Sequence, residues 1–113
     1  MDLMCEHMDG VLVVALLGAQ LDASTAAEFK SDMAPVLEAH TRVVFDLSRL
    51  EFVDSSGLGA FLTCLRQLHA KGGDLKLCSM SPPVRALFEL VRMHRLFDIF
   101  ETPEAAVRAF LTT

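Results

Sequence analysis

The chain has no apolar run longer than the seven residues Val11–Leu17. A membrane-spanning helix needs about 20. The mean hydropathy of +0.40 therefore reflects short buried segments, and direct membrane insertion is not expected. Basic charge is also scarce. Ten Lys and Arg stand against fifteen Asp and Glu, a net charge of −5. Phosphate backbones are held by clustered Lys and Arg, so this balance argues against nucleic acid and against an anionic membrane surface. The acidic opening Met1–Glu6 has no basic region ahead of an apolar stretch, so no secretory signal is expected. Cysteines number three, Cys5, Cys64 and Cys78, and none are spaced C-x-x-C. An odd count without metal or redox spacing points to a reducing cytosol, with each thiol a small buried hydrophobe.

Catalytic signatures are missing too. There is no G-K-[ST], no H-E-x-x-H and no G-x-S-x-G. None of His7, His40, His69 or His94 has a supporting motif. An enzyme is not expected, nor a metal or a resident cofactor. An acid–base enzyme built on Asp22, Asp46 and Asp54 is the most distant reading.

What is present suits one compact domain over residues 1–113. A chain of this size buries roughly two-thirds of its unfolded surface and needs no staples. Residues 11–17 read as a buried strand, and residues 3–8 pair with it across Asp9-Gly10 as a hairpin. Gly18 to Asp22 reads as a loop, with Asp22 or Ser24 capping the next helix. Phe29, Met33 and Leu37 give that helix its apolar stripe. Pro35 predicts a kink or an early end. Val43–Leu47 predicts a central strand. A loop follows from Ser48 to Asp54, then a helix from Ser55 or Ser56 with Leu58, Phe61, Leu62, Leu65 and Leu68 inward. Gly72-Gly73 ends it. Leu75–Cys78 is the next strand. Ser81-Pro82 opens a helix whose buried stripe is Ala86, Leu87, Leu90 and Val91. Leu96–Phe100 predicts a short strand, and Thr102-Pro103 opens a last helix with Ala106, Val107, Phe110 and Leu111. The order β-β-α-β-α-β-α-β-α implies an α/β fold, a mixed and mostly parallel sheet of about five strands with about four helices.

The most unusual segment is Phe52-Val53-Asp54-Ser55-Ser56-Gly57-Leu58-Gly59. A cap accounts for one of its polar residues. It does not account for Gly57 and Gly59, each costing a helix up to about 1 kcal/mol against Ala. Free N–H groups and the helix dipole make this place tolerant of a phosphate. Cap-only and functional-loop readings stand level on spacing alone.

This segment, with Leu47-Ser48 before it, resembles the signature of STAS domains, in particular the bacterial anti-sigma-factor antagonists. The resemblance covers nearly the whole chain. Gly18…Leu21-Asp22 is similar to the family's loop after the second strand. Ser81-Pro82-Pro83-Val84 is similar to its S-P-x-V segment, and Leu96-Phe97…Phe100-Glu101 to the end of its fold. The family often has Gly near Arg92, which predicts a differently built turn over Val91–Arg95. The resemblance implies a cycle. The unphosphorylated protein binds a kinase-type anti-sigma factor and frees a sigma factor. The kinase, holding ATP and Mg²⁺, phosphorylates the first serine of D-S-S-G, which is Ser55. A PP2C-type phosphatase reverses the step. Asp22 and Asp54 would flank the acceptor, and Ser56, Gly57 and Gly59 would complete the recognised loop. The expected contact face of the helix is Ala60, Thr63, Cys64 and Gln67, opposite or beside its apolar stripe. A cytoplasmic monomer or weak dimer is implied. The alternative is a STAS subunit of a membrane transport complex or a signalling scaffold that is never phosphorylated; nucleotide binding is a further reading.

Overall fold

The computed structural model describes residues 1–112. β1 (Leu3–Met8) and β2 (Val11–Leu16) form an antiparallel hairpin. Its two-residue loop, Asp9-Gly10, has positive φ at both positions, 53° and 81°. A type I′ turn demands that, and Asp-Gly supplies it at least cost. β4 (Arg42–Asp46), β6 (Asp74–Cys78) and β7 (Asp98–Phe100) extend the sheet in parallel, in the order β1-β2-β4-β6-β7. The mixed five-stranded sheet and its four helices match the architecture expected from the sequence.

Side chains alternate cleanly along β2. Leu12, Val14 and Leu16 enter one core, while Val11 and Val13 enter another. The larger core lies beneath α1 (Ala26–Glu38), α2 (Ser55–His69) and α3 (Pro82–Leu90). Phe29, Phe45, Phe61, Phe88 and Phe97 run through it as a chain of ring contacts at 5.7–6.1 Å, a spacing that suits the tilted and edge-on arrangements seen. The smaller core joins Val11, Val13, Val44 and Cys78 to Ala106, Val107 and Phe110 of α4 (Pro103–Leu111). Both faces of the sheet are therefore covered, one by a single helix. Among the described residues no helix is long and apolar enough to cross a membrane.

Several local expectations are corrected. The segments expected to be loops contain β3 (Gln20–Leu21) and β5 (Phe52–Val53), which pair in parallel as a separate two-stranded sheet. α1 runs through Pro35 to Glu38. The missing N–H falls in the last turn on an exposed position, where the loss is small. Neither Asp22 nor Ser24 caps α1; Thr25 holds that position. α3 buries Val84 and Phe88 instead of Ala86, Leu90 and Val91, which are exposed, with Leu87 half-buried. Leu111 and Cys5 are exposed as well. The last strand starts at Asp98, after a 3-10 turn over Met93–Arg95. Arg92 takes the left-handed backbone that glycine favours, φ 61°, so the turn is bent as a glycine would bend it.

Candidate functional site

The C-terminal ends of β2 and β4 lead into the small β3–β5 sheet. Its register pairs Leu21 with Val53. That pairing sets the residues that follow, Asp22 and Asp54, side by side. Crevices at these strand ends are where open α/β sheets bind ligands. The Asp54 N–H donates to the Leu21 carbonyl at 3.2 Å. Its carboxylate is fully engaged: Oδ1 accepts from the Gly57 N–H at 3.0 Å and Oδ2 from the Ala23 N–H at 3.1 Å. Asp54 is thus the N-cap of α2 and a tether to the loop before α1. Asp22 turns onto its own loop, where Oδ1 accepts from the Ser24 N–H at 3.0 Å and the Ser24 hydroxyl at 2.7 Å. The Ser24 hydroxyl bond, more than any other contact, holds the Asp22 carboxyl below its ordinary pKa. Asp46, by contrast, accepts from the Ser48 N–H and takes no part in this cluster.

Gly57 is explained by packing. A Cβ there would sit 2.3 Å from the Leu21 carbonyl oxygen and 2.8 Å from Val53 Cγ1. Only glycine lets α2 begin against β3. Gly59 is different: nothing lies within 4 Å of a Cβ placed on it, and it is exposed. No packing contact among the described residues requires a glycine there.

Ser55 is the first residue of α2 and is exposed, and its hydroxyl makes no hydrogen bond among the described residues. Ser56 is half-buried. Asp54 satisfies the third N–H of the helix, leaving those of Ser55 and Ser56 without intrahelical partners. The exposed strip of α2 continues through Gly59, Thr63 and Arg66, with the Thr63 hydroxyl donating to the Gly59 carbonyl at 3.0 Å.

The expected contact face needs correction. Ala60 and Cys64 are buried, at 0% and 2% exposure. They share a helical face with Gln67, whose amide donates to the Ala34 carbonyl of α1 at 3.0 Å. Small residues there let α1 pack close. Burial pushes the Cys64 thiol up to about 12, so it is not a reactive group. Of the four, Thr63 alone is exposed. The Ala23 N–H that holds Asp54 Oδ2 was not legible, since it carries no side-chain signal at all.

A second polar cluster lies at the opposite ends of the strands. Lys76 is 7% exposed, yet its ammonium reaches Asp98 at 2.9 Å and Asp74 at 3.2 Å and lies 4.7 Å from the Phe110 ring centroid. Burial works against the Lys76 charge, but the bonds to Asp98 and Asp74 outweigh it and raise the pKa. Burial likewise works against Asp74, and bonds from His69 and Lys76 outweigh it and lower the pKa. The adjoining cavity of about 410 Å³ includes Thr41, Arg42, Gly73 and Asp74. The lysine is held by two acids and offsets the charge of one, so this cluster is structural.

Comparison with known proteins agrees with this geometry. The chain is 34% identical to BtrV of Bordetella bronchiseptica over 113 residues, covering 99% of this chain and 97% of that protein. It is 33% identical to the anti-sigma F factor antagonist of Paenibacillus polymyxa over 98 residues, covering 85% and 83%. Its backbone superposes on the Bacillus cell fate determinant SpoIIAA in the phosphorylated form with a TM-score of 0.71 at 26% identity, covering 96% and 99%. The family model for the STAS domain matches residues 2–106, and the chain belongs to that family.

Proposed function

We propose that this protein is an anti-sigma-factor antagonist, a regulatory binding protein and not an enzyme, and that phosphorylation of Ser55 switches it off. In the unphosphorylated state it binds a kinase-type anti-sigma factor and frees the sigma factor; a PP2C-type phosphatase restores that state. The observation that carries this reading is the Ser55 hydroxyl. It is exposed, and unpaired among the described residues, at a helix start whose neighbouring acid is already committed to two backbone N–H groups. The similarity to an anti-sigma F factor antagonist and to a phosphorylated SpoIIAA supports the same role.

The energetics favour a local switch. A phosphate adds about −1.5 to −2 charge. At the start of α2 the dipole offsets it by about 0.3–1 kcal/mol, so the free protein keeps its fold. Against a partner the balance reverses. A carboxylate about 4 Å from the phosphate repels it by about 4 kcal/mol at an effective dielectric constant near 20, before screening. Burying the unpaired dianion adds several kcal/mol more. A loss of about 2.8 kcal/mol already lowers affinity a hundredfold.

Intact-mass analysis and peptide mapping of protein from its native host, with and without phosphatase, test the modification. The expected result is one phosphate on Ser55, removed by phosphatase. Ser55→Asp should bind the anti-sigma factor at least about a hundredfold more weakly than wild type with an unchanged Tm. Equal binding by Ser55→Asp and wild type would refute the charge mechanism.

A further inference from the structure

Helix α3 carries more apolar surface than the core uses. Val84 and Phe88 face inward at 1% and 0% exposure. Pro83 lies three and four residues before Ala86 and Leu87, and these lie four and three before Leu90, so the set shares a different face. Leu90 is 79% exposed. Pro83, Val84 and Leu87 form a groove of about 420 Å³ with Glu51, Phe52 and Val53 of the strand side. Phe52 is 51% exposed. A lone exposed leucine is ordinary. A groove walled by an aromatic ring, a proline and leucine is a contact surface.

Two features identify what it contacts. β5 runs from the groove wall directly into Asp54 and Ser55, so the groove is continuous with the switch. The one charged residue among those lining it is Glu51. An apolar cleft with a carboxylate on its wall suits an apolar side chain flanked by a cation.

We propose, on the antagonist reading given above, that this groove anchors the anti-sigma factor kinase by taking an apolar side chain of that partner beside a Lys or Arg that meets Glu51. The groove then supplies affinity, as buried apolar anchors commonly do, while Ser55 supplies control. Phosphate on Ser55 leaves the anchor intact and acts only on the neighbouring contact.

The test uses the full chain and the host's purified anti-sigma factor kinase, taken as the protein that phosphorylates Ser55 with ATP and Mg²⁺. Phe52→Ser, Leu87→Ser, the double variant and Glu51→Lys, all at residues that line the groove, are titrated against it beside wild type and Ser55→Asp. Tm measurements check folding; Phe52 is too exposed for its replacement to unfold the chain. Each serine variant should bind about tenfold more weakly, the double about a hundredfold, and Glu51→Lys about tenfold. A double variant within twofold of wild type, with Ser55→Asp inactive, would overturn the groove and leave the Ser55 reading standing. If no host kinase binds or phosphorylates the wild type, both fall. If sedimentation shows a wild-type dimer that Leu87→Ser dissociates, a second copy fills the groove and the proposal fails.

Discussion

The two ends of the sheet are built from the same parts and finish differently. Each has a glycine against a backbone carbonyl: a Cβ on Gly57 would meet the Leu21 oxygen at 2.3 Å, and one on Gly73 the Thr41 oxygen at 2.3 Å. Each has two aspartates, Asp22 and Asp54 at one end, Asp74 and Asp98 at the other. At the lower end a buried lysine closes the cluster. At the upper end the acids bind backbone N–H groups and the Ser24 hydroxyl, and the serine beside them is left open. Acids tied to backbone fix a loop without consuming its chemistry. Acids tied to an ammonium fix a loop and have part of their charge offset.

The largest effect should come from the two crowded glycines. Gly57→Ala and Gly73→Ala should each cost about 2–3 kcal/mol in urea unfolding, since neither carbonyl can move without its strand. They should part on function: Gly57→Ala should slow Ser55 phosphorylation at temperatures where both stay folded, and Gly73→Ala should not. Equal rates would erase the distinction between the ends.

Lys76→Met should have an intermediate effect. Breaking a fully buried pair costs about 3–5 kcal/mol. Here the Asp74 and Asp98 side chains stay 36% and 64% exposed, so water receives them and about 1–2 kcal/mol is expected. The pH dependence follows from the shifts. Asp74 is lowered in the folded state, so its contribution is present above the unfolded pKa, about 3.9, and lost as pH falls through the folded one. Lys76 is raised, so its contribution is present below the unfolded pKa, about 10.4, and lost as pH rises through the folded one. This cluster's contribution to Tm should therefore hold steady between those margins and be lost beyond both, separately from the N-terminal ammonium, which is raised by its bond to Glu28 and loses its own contribution as pH rises through its pKa. Lys76→Met should remove the cluster's part of the alkaline fall and shrink the acid one.

The smallest effect is expected at Gly59. With open space around it, Gly59→Ala should stabilise the fold by up to about 1 kcal/mol, measured by thermal unfolding. A loss instead would mean that Gly59, like Gly57, serves the interior.

The sequence made the large elements readable because their apolar periods are long: Phe29, Met33 and Leu37, or Leu58, Phe61, Leu65 and Leu68, can face only one way. The β3–β5 pair was illegible because two residues have no period. α3 was misread because it is apolar on two faces, and period alone does not say which one the core takes. Ala60 and Cys64 were placed outside because a helix between a sheet and another helix has two buried sides, and small residues mark the second. At the site, the motif gave Asp54 and Ser55. The hand-off from Asp54 to the Ala23 N–H had no letter in the sequence to announce it.

That hand-off has a consequence for what a modifying enzyme meets. The eight residues Phe52–Gly59 are contiguous, but Asp54 Oδ2 is held 31 positions away, by Ala23, and Gly57 is seated on the Leu21 carbonyl. A synthetic peptide with the same letters lacks both supports. The epitope is conformational, assembled only when distant stretches of the chain have met. On the proposed reading, an enzyme that modifies Ser55 would also inspect whether the molecule has finished folding.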